Sequence, residues 1–432
     1  MSNLLNLKSF FKFLGRNKGY TAIDLFGLSV SLMFVILIAT YVTGELMTDR
    51  YHEKADRIYV LGNGEYTGSA YRIGYRLEER YPEIEKSCHV LARAFYLPVQ
   101  SGEHKLNAGL MLVDTTFFDF FNFPLIRGNR DQAFAARNYA VISESFANKI
   151  FGNEDPMGKT IRVNDELTVV VNGVLKDIRH SVIPNEDIMC RIDNIRAVGQ
   201  NMFDDYNSAG SVNVFVMKRE GADLASKSDD IRDWFKTFFW IYERDLSTVV
   251  EFVPLKQLYF WNHTYSPGIE RGNRQFVIIL LSVGLLILLF AIINYINLTV
   301  AQTGFRAKEM ATRRLLGSSR KELFSRLIIE STLLTAISFC IGLFLAFLFA
   351  PYAGDLVQKQ IYPSEMITPL NGIIVILLIA FIGFIAGLLP AIVISNAKPI
   401  EVVRGTFRKQ TKMVFSKFFI IFQNIITICL IA

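Results

Sequence analysis

The sequence predicts an α-helical membrane protein with four complete transmembrane helices, a truncated fifth, and a large extracytoplasmic α+β domain inserted between the first two. Three observations predict it. Four apolar runs each reach the roughly 20 residues that cross a hydrocarbon core about 30 Å thick. Basic residues gather beside alternate ends of those runs. The long stretch Gly44–Gln275 mixes strand and helix patterns. Composition agrees: of 432 residues, 51% are hydrophobic and 20% charged, which is too apolar for a wholly water-soluble protein. Four cysteines are too few for a disulfide-stapled scaffold.

Residues 1–20 form an amphipathic lead with Lys8, Lys12, Arg16 and Lys18 and no acid. Residues 21–43 are the first span, whose one charge is Asp24. Tyr41-Val42-Thr43 is a poor cleavage pattern, so an uncleaved anchor is expected. Residues 276–300 are an uncharged second span, with Asn294 and Asn297 three apart near its end. That pair can bond across a helix interface or meet headgroups. Residues 301–326 are a loop, and 327–350 the third span, with Glu330 near its start. The loop 351–370 has one basic residue, Lys359. Residues 371–395 are the uncharged fourth span. Its Gly383 and Gly387 form a GxxxG pair, which permits close helix contact or reflects ordinary glycine content. A basic linker, 396–417, leads to the apolar run 418–432. That run is short of a span and is expected to be the start of a fifth helix, making this chain the front part of a longer protein.

Charge sets an expected topology. The lead, the loop Gln302–Ser325 and the stretch Asn396–Lys417 together hold 16 basic and 3 acidic residues, a net +13 in a chain of +6, so the rest carries −7. The positive-inside rule then puts the N-terminus and these segments in the cytoplasm and 44–275 outside. The basic excess is explained by membrane orientation, and no nucleic-acid partner is expected.

In Gly44–Gln275, Thr168–Leu175 reads as a strand interrupted by a turn at Asn172-Gly173. Ser211–Lys218 places Val212, Val214 and Val216 on one face of a half-buried strand. Ser143–Phe151 reads as a short helix capped by Ser143 and stopped by Gly152. Asp223–Asp245 reads as one amphipathic helix with Ile231, Trp234, Phe235, Phe238 and Phe239. Two lobes are expected. His52, His89, His104, His180 and His263 are dispersed, without HExxH, and the acids suit no calcium loop, so no catalytic, cofactor or metal residues are expected. Cys88 and Cys190 permit a disulfide that the domain does not need. Asn262-His263-Thr264 matches a glycosylation sequon.

The sharpest feature is FRAKEMATRRLLGSSRKELFSRLIIE, Phe305–Glu330. Met310, Ala311, Leu315 and Phe305 suggest an apolar stripe, and Glu309 stands four before Arg313 in the favourable order. Gly317 is a natural stop, and Ser319 with Glu322 makes a capping box for the next helix. A short helix, a tight break and a second helix entering the membrane are expected. An interfacial helix held by anionic lipid explains the two faces; a docking element for a cytoplasmic partner also explains the hard break.

Arg306, Lys308, Glu309, Ala311, Arg313, Arg314, Leu316, Gly317, Ser319 and Arg320 resemble the RxKExAxRKxLGASR loop of the FtsX-like, MacB-type permease family of ABC transporters. Ser318 and Arg314 depart from its usual Ala and Lys. Phe117-Phe118, Phe123-Pro124-Leu125, Ser143-Glu144 and Phe151–Lys159 resemble the FF, FPL, SE and FGxxDPxGK elements of that family's MacB-like periplasmic core domain. Asn294–Leu298, Pro390, Pro399–Glu401 and Arg404-Gly405 resemble its later segments. The long, tandem-repeat variety is the one most resembled.

The resemblance implies a permease without enzymatic activity, in a bacterial inner membrane, paired with a separate ABC ATPase dimer that holds ATP and magnesium. This chain has no GxxxxGK[ST] loop and needs no cofactor of its own. It also implies a second permease half or copy, and a periplasmic adaptor or envelope protein as a further partner. Arg306, Lys308, Glu309, Arg313, Arg314, Gly317 and Arg320 become the candidate ATPase-coupling residues. ATP-driven motion would pass through the spans to the outer domain, for drug or peptide efflux, lipoprotein release, peptide sensing or control of cell-wall hydrolases. A membrane-anchored sensor or scaffold without transport is the alternative.

Overall fold

A computed structural model describes residues 18–198, 212–261, 268–301 and 303–395, with Ile421 and Asn424 beyond. The sequon, most of the basic lead, the linker 396–417 and nearly all of the run 418–432 lie outside the described residues. The chain forms two compact units: Gly44–Arg274, and the helices on either side of it.

Helix α1, Lys18–Leu46, leads into the inserted domain. The domain then runs β1 Ile58–Gly62, β2 Gly68–Ser69, α2 Ile73–Arg80, β3 Ile84–Ser101, β4 His104–Val113, α3 Phe117–Phe120, β5 Leu125–Gly128, β6 Tyr139–Ser143, α4 Glu144–Phe151, β7 Thr160–Val163, β8 Leu167–Leu175, β9 Ile188–Arg191, β10 Val212–Lys218, α5 Ser228–Phe235, α6 Trp240–Glu243, β11 Glu251–Pro254 and α7 Leu255–Leu258. The strands form one sheet in the order β11-β1-β10-β3-β4-β9-β6-β8-β5, with β2 on β10 and β7 bridging β3 and β8. That bridge closes a ring, β3-β4-β9-β6-β8-β7, back onto β3. Alternate residues of all six strands supply one core, including Val99, Leu110, Ile142, Ile161, Val169 and Ile188. The long strand β3 is shared between this barrel-like lobe and the open sheet around β10, so the two lobes are one continuous sheet.

Strand β10 is central and covered on both sides. Phe215 and Met217 enter a phenylalanine-rich core with Phe117, Phe120, Phe121 and Phe123. Val214 and Val216 enter another core with Ile73, Leu77, Ile231 and Phe235. The half-buried reading of this strand is therefore corrected: α2 and α5 cover the Val214 and Val216 face, and the face expected to be polar carries Phe215 and Met217 into the phenylalanine cluster around α3. The expected turn at Asn172-Gly173 is also corrected. β8 runs through it, and the register with β6 shifts there, pairing Val171 with Ala140 and Gly173 with Val141. The glycine serves close approach, because a Cβ on neighbouring Gly128 would lie 2.6 Å from the Asn172 carbonyl oxygen.

The single helix expected over 223–245 is broken. After α5, Thr237 Oγ1 donates to the Trp234 carbonyl at 2.7 Å, and Phe239 turns extended before α6. The break lets Phe235, Phe239 and Tyr242 all enter one core. Helix α4 forms as expected, with the Ser143 hydroxyl accepting from Phe146 N and Gly152 ending it at φ +61°. Cys88 and Cys190 are free thiols in different cores, one in the phenylalanine cluster and one inside the barrel. The sheet between those cores removes the permitted disulfide.

The two ends of the inserted domain are knitted together. Tyr259 donates to the Glu45 carboxylate at 2.8 Å. Asp49, buried at φ +56°, accepts from Ser181 Oγ and Val182 N at 2.5 and 2.8 Å. Val182 in turn accepts from Glu270 N, and Tyr259 accepts from Gly272 N, each at 2.8 Å.

Among the described residues, the other unit holds four helices long and apolar enough to cross a membrane. They are α1, α8 (Arg274–Ala301), α10 (Arg320–Val357) and α11 (Pro369–Ser395); the short α9, Thr303–Leu315, precedes α10. Glycines set their contacts. A Cβ at Gly284 would lie 3.1 Å from Ile38, and one at Gly27 would lie 3.4 Å from the Asn294 amide, so α1 and α8 run antiparallel. Gly342 of α10 sits on Ser29–Met33 of α1. Gly383 and Gly387 of α11 sit on Thr332 and Ser331 of α10.

Candidate functional site

The helix–break–helix at one end of the bundle has the expected form. The backbone turns at Gly317, φ +102°, where Ser318 N donates to Arg313 O at 3.1 Å. Ser319 caps α10: Glu322 N donates to its hydroxyl at 3.2 Å, and its own N–H donates to the Glu322 carboxylate at 2.9 Å.

Met310 and Ala311 are buried, and Met310 packs with Leu323 and Leu327 of α10 and Ala391 of α11. Leu315, expected in the same stripe, instead points out at 70% exposure, with Leu316 at 83%. The chain has left helical geometry by Leu316, so its side chain no longer follows the stripe.

The charges do more inside the chain than the sequence suggests. Glu309 accepts from Arg313 at 3.2 Å and stands 3.9 Å from Arg326 of α10. Arg326 donates to Glu330 at 3.0 Å, and both of those side chains are largely buried. Arg314 donates to the Ser395 carbonyl at 3.3 Å, where a cation meets the negative end of α11. Glu309 and Arg314 therefore hold α9 to α10 and α11, while Arg313 pairs with Glu309 along α9 itself. Arg306 and Lys308 lie on α9, and Gly317 and Arg320 stand exposed beside Leu315 and Leu316. Arg326, Ser395 and Leu316 were missed as site residues. Ser395 lies 81 residues from Arg314, so no local spacing signals it, whereas Arg326 has a local signal in its i,i+4 spacing to Glu330.

Asn294 lies over Gly27, and Asn297 is half-buried on the same helix. Among the described residues, no group of three or more His, Cys, Asp or Glu is placed to hold a metal. His52 pairs with Asp49 at 3.3 Å. His89 pairs with Asp114 at 2.6 Å, and Tyr75 donates to the same carboxylate at 2.5 Å. Burial and the Asp114 charge push the Tyr75 hydroxyl far above its ordinary range, keeping it a donor. The nearest approach to a phosphate loop, Gly152–Thr160, has five residues between its glycines and leads from α4 into β7. That is the reverse of the strand–loop–helix order a phosphate cradle uses.

The family model described as MacB-like periplasmic core domain matches residues 21–234, and the one described as FtsX-like permease C-terminal matches 281–399. Macrolide export ATP-binding/permease protein MacB of Bdellovibrio bacteriovorus is 22% identical over 272 residues, 61% of this chain and 38% of that protein. Its counterpart in Chlorobium luteolum is 23% identical over 287 residues, 64% of this chain and 39% of that protein. The chain thus spans under two fifths of the length of these relatives. Among solved structures, a domain of a putative permease from Porphyromonas gingivalis aligns at 20% identity and TM-score 0.38, covering 44% of this chain and 88% of that one. The periplasmic region of MacB from Actinobacillus actinomycetemcomitans aligns at 13% and 0.34, covering 47% and 91%.

Proposed function

We propose, because this chain belongs to the FtsX-like, MacB-type family of ABC transporter permeases, that it carries the motion of a separate ATPase dimer to its inserted domain. The domain then moves or releases a substrate outside a bacterial inner membrane. ATP and magnesium would reside in the ATPase. The basic end of the bundle faces the cytoplasm in this reading, and the inserted domain faces the periplasm.

The observation that carries it is the exposed pair Leu315 and Leu316 at the C-terminal end of a helix pinned to two spanning helices. An apolar tip can seat in an ATPase groove. The Glu309–Arg313–Arg326–Glu330 network would then pass a push on α9 into α10. Lipid anchoring needs the basic face but not this internal bracing. Burying two leucines is worth about 3–5 kcal/mol, so the double substitution L315D/L316D should weaken docking by about 100-fold or more.

The test uses the full-length permease in nanodiscs with its cognate ATPase. ATPase co-purification and permease-stimulated ATP turnover should collapse in L315D/L316D while the melting temperature holds. Unchanged turnover would overturn the docking role. Failure of any ABC ATPase to associate with the wild type would favour the sensor or scaffold reading.

A further inference from the structure

At the end of the bundle away from α9, helix α10 outruns its neighbour. Gly383 of α11 opposes Thr332 of α10. With equal rise per residue, Pro369 is level with about Ala346, and the rest of α10 overshoots by about three turns. The return segment 358–368 folds back along this overshoot. Ile361 packs on the cluster of Ala346 and Ala350, and Pro363 is buried. Between helix and return lies a groove of about 790 Å³. Its floor is apolar, from Phe347, Ala350 and Pro351, and its rim is polar, with Asp355, Lys359 and Tyr362.

Three features fix the chemistry of its occupant. First, the groove sits level with the start of the apolar run of α11, which is headgroup depth for a spanning helix. Exposed Phe344 and Leu348 continue along α10 toward the membrane interior, a path for an acyl chain. Second, the rim favours a cation at one end. It offers Asp355, the negative C-terminal end of a 38-residue helix, and a Phe347 carbonyl for which Pro351 supplies no intrahelical N–H. Third, the other end offers the Lys359 ammonium to an anion, beside the Tyr362 hydroxyl, which donates to the Gln360 side chain. Lys359 is the only base of residues 351–370, against Asp355 and Glu365. An anionic headgroup would meet net repulsion, whereas a zwitterion satisfies both ends.

We propose that this groove binds the zwitterionic headgroup of a phosphatidylethanolamine-type lipid, with its primary ammonium at Asp355 and the α10 terminus and its phosphate at Lys359. A primary ammonium can donate hydrogen bonds to these acceptors; a quaternary choline cannot.

The test is lipid retention by the full-length permease. The delipidated protein in detergent is offered equimolar palmitoyl-oleoyl phosphatidylethanolamine, phosphatidylcholine and phosphatidylglycerol, and the retained lipid is read by native mass spectrometry. Phosphatidylethanolamine should be preferred by about tenfold, the worth of one charge-assisted hydrogen bond. D355N/K359Q should erase the preference, and D355N alone should reduce it if the double variant misfolds. Soluble phosphoethanolamine at millimolar concentration should not displace the lipid. Equal retention of the three lipids, an unchanged preference in the variants, or ready displacement by phosphoethanolamine would each overturn the proposal.

Discussion

Replacing Gly383 with alanine should force α10 and α11 apart. The new Cβ would stand 2.5 Å from Thr332 Cα, 2.7 Å from its Oγ1 and 2.9 Å from its Cβ. Carbon atoms in contact prefer about 3.5–4.0 Å, so the helices must separate locally by roughly 1 Å. The closest atom is backbone, and no rotamer change relieves it. Overpacking of this kind costs about 1–3 kcal/mol, and alanine returns up to about 1 kcal/mol of helix propensity. The net expectation is about 1–2 kcal/mol of destabilisation. Gly372 is the matched control: it lies in the same helix and a Cβ there meets nothing within 4 Å, so G372A should be neutral or stabilising. G387A meets Ser331 Cβ at 2.8 Å, and the double variant G383A/G387A should cost less than the sum, because one separation relieves both. Thermal unfolding followed by fluorescence-detected size exclusion reads all four. A melting temperature for G383A at or above wild type, with G372A behaving alike, would refute the close α10–α11 contact.

Three further outcomes are expected. R326A should destabilise by about 3 kcal/mol, because it leaves the Glu330 carboxylate buried without its partner, while R326M/E330M should recover most of the loss; equal melts for both variants would contradict a buried pair. S319A should cost about 1 kcal/mol and fray the start of α10, seen as faster amide exchange over residues 320–323 and not elsewhere. Burial pushes the Cys190 thiol up to about 12, so the folded state holds a proton that the unfolded state releases. Stability should therefore fall as pH rises from about 9 towards 12, by up to about 1.4 kcal/mol per unit, and Cys190 should resist maleimide until unfolding; rapid native labelling would count against its burial.

Much of this was legible in the sequence because the physics is local. Apolar runs of spanning length need no partner to be recognised, and neither do the Ser319–Glu322 box or the Gly317 turn. What failed depends on distant chain. Val212–Lys218 alternates as a half-buried strand should, yet α3 and the phenylalanines that follow it cover its second face. The aromatics of 223–245 fit one helical stripe, but burying Phe235, Phe239 and Tyr242 together needs a break at 236–239. The contact of Arg314 with the Ser395 carbonyl had no signal, because the two lie 81 residues apart. The exposed Leu316 had no signal beyond its place at the end of a helix.

The knot that joins Glu45 and Asp49 to residues 180–182, 259, 270 and 272 brings the two ends of a long insertion together. Its host helices, α1 and α8, are themselves antiparallel neighbours. An insertion of this kind behaves as a cassette: its folding is closed on itself, and its attachment needs only two adjacent backbone ends. Excising Gly44–Arg274 and bridging the gap with a short flexible linker should leave a plain helical hairpin. By the same geometry, recombination can exchange one inserted domain for another without redesigning the helices that carry it.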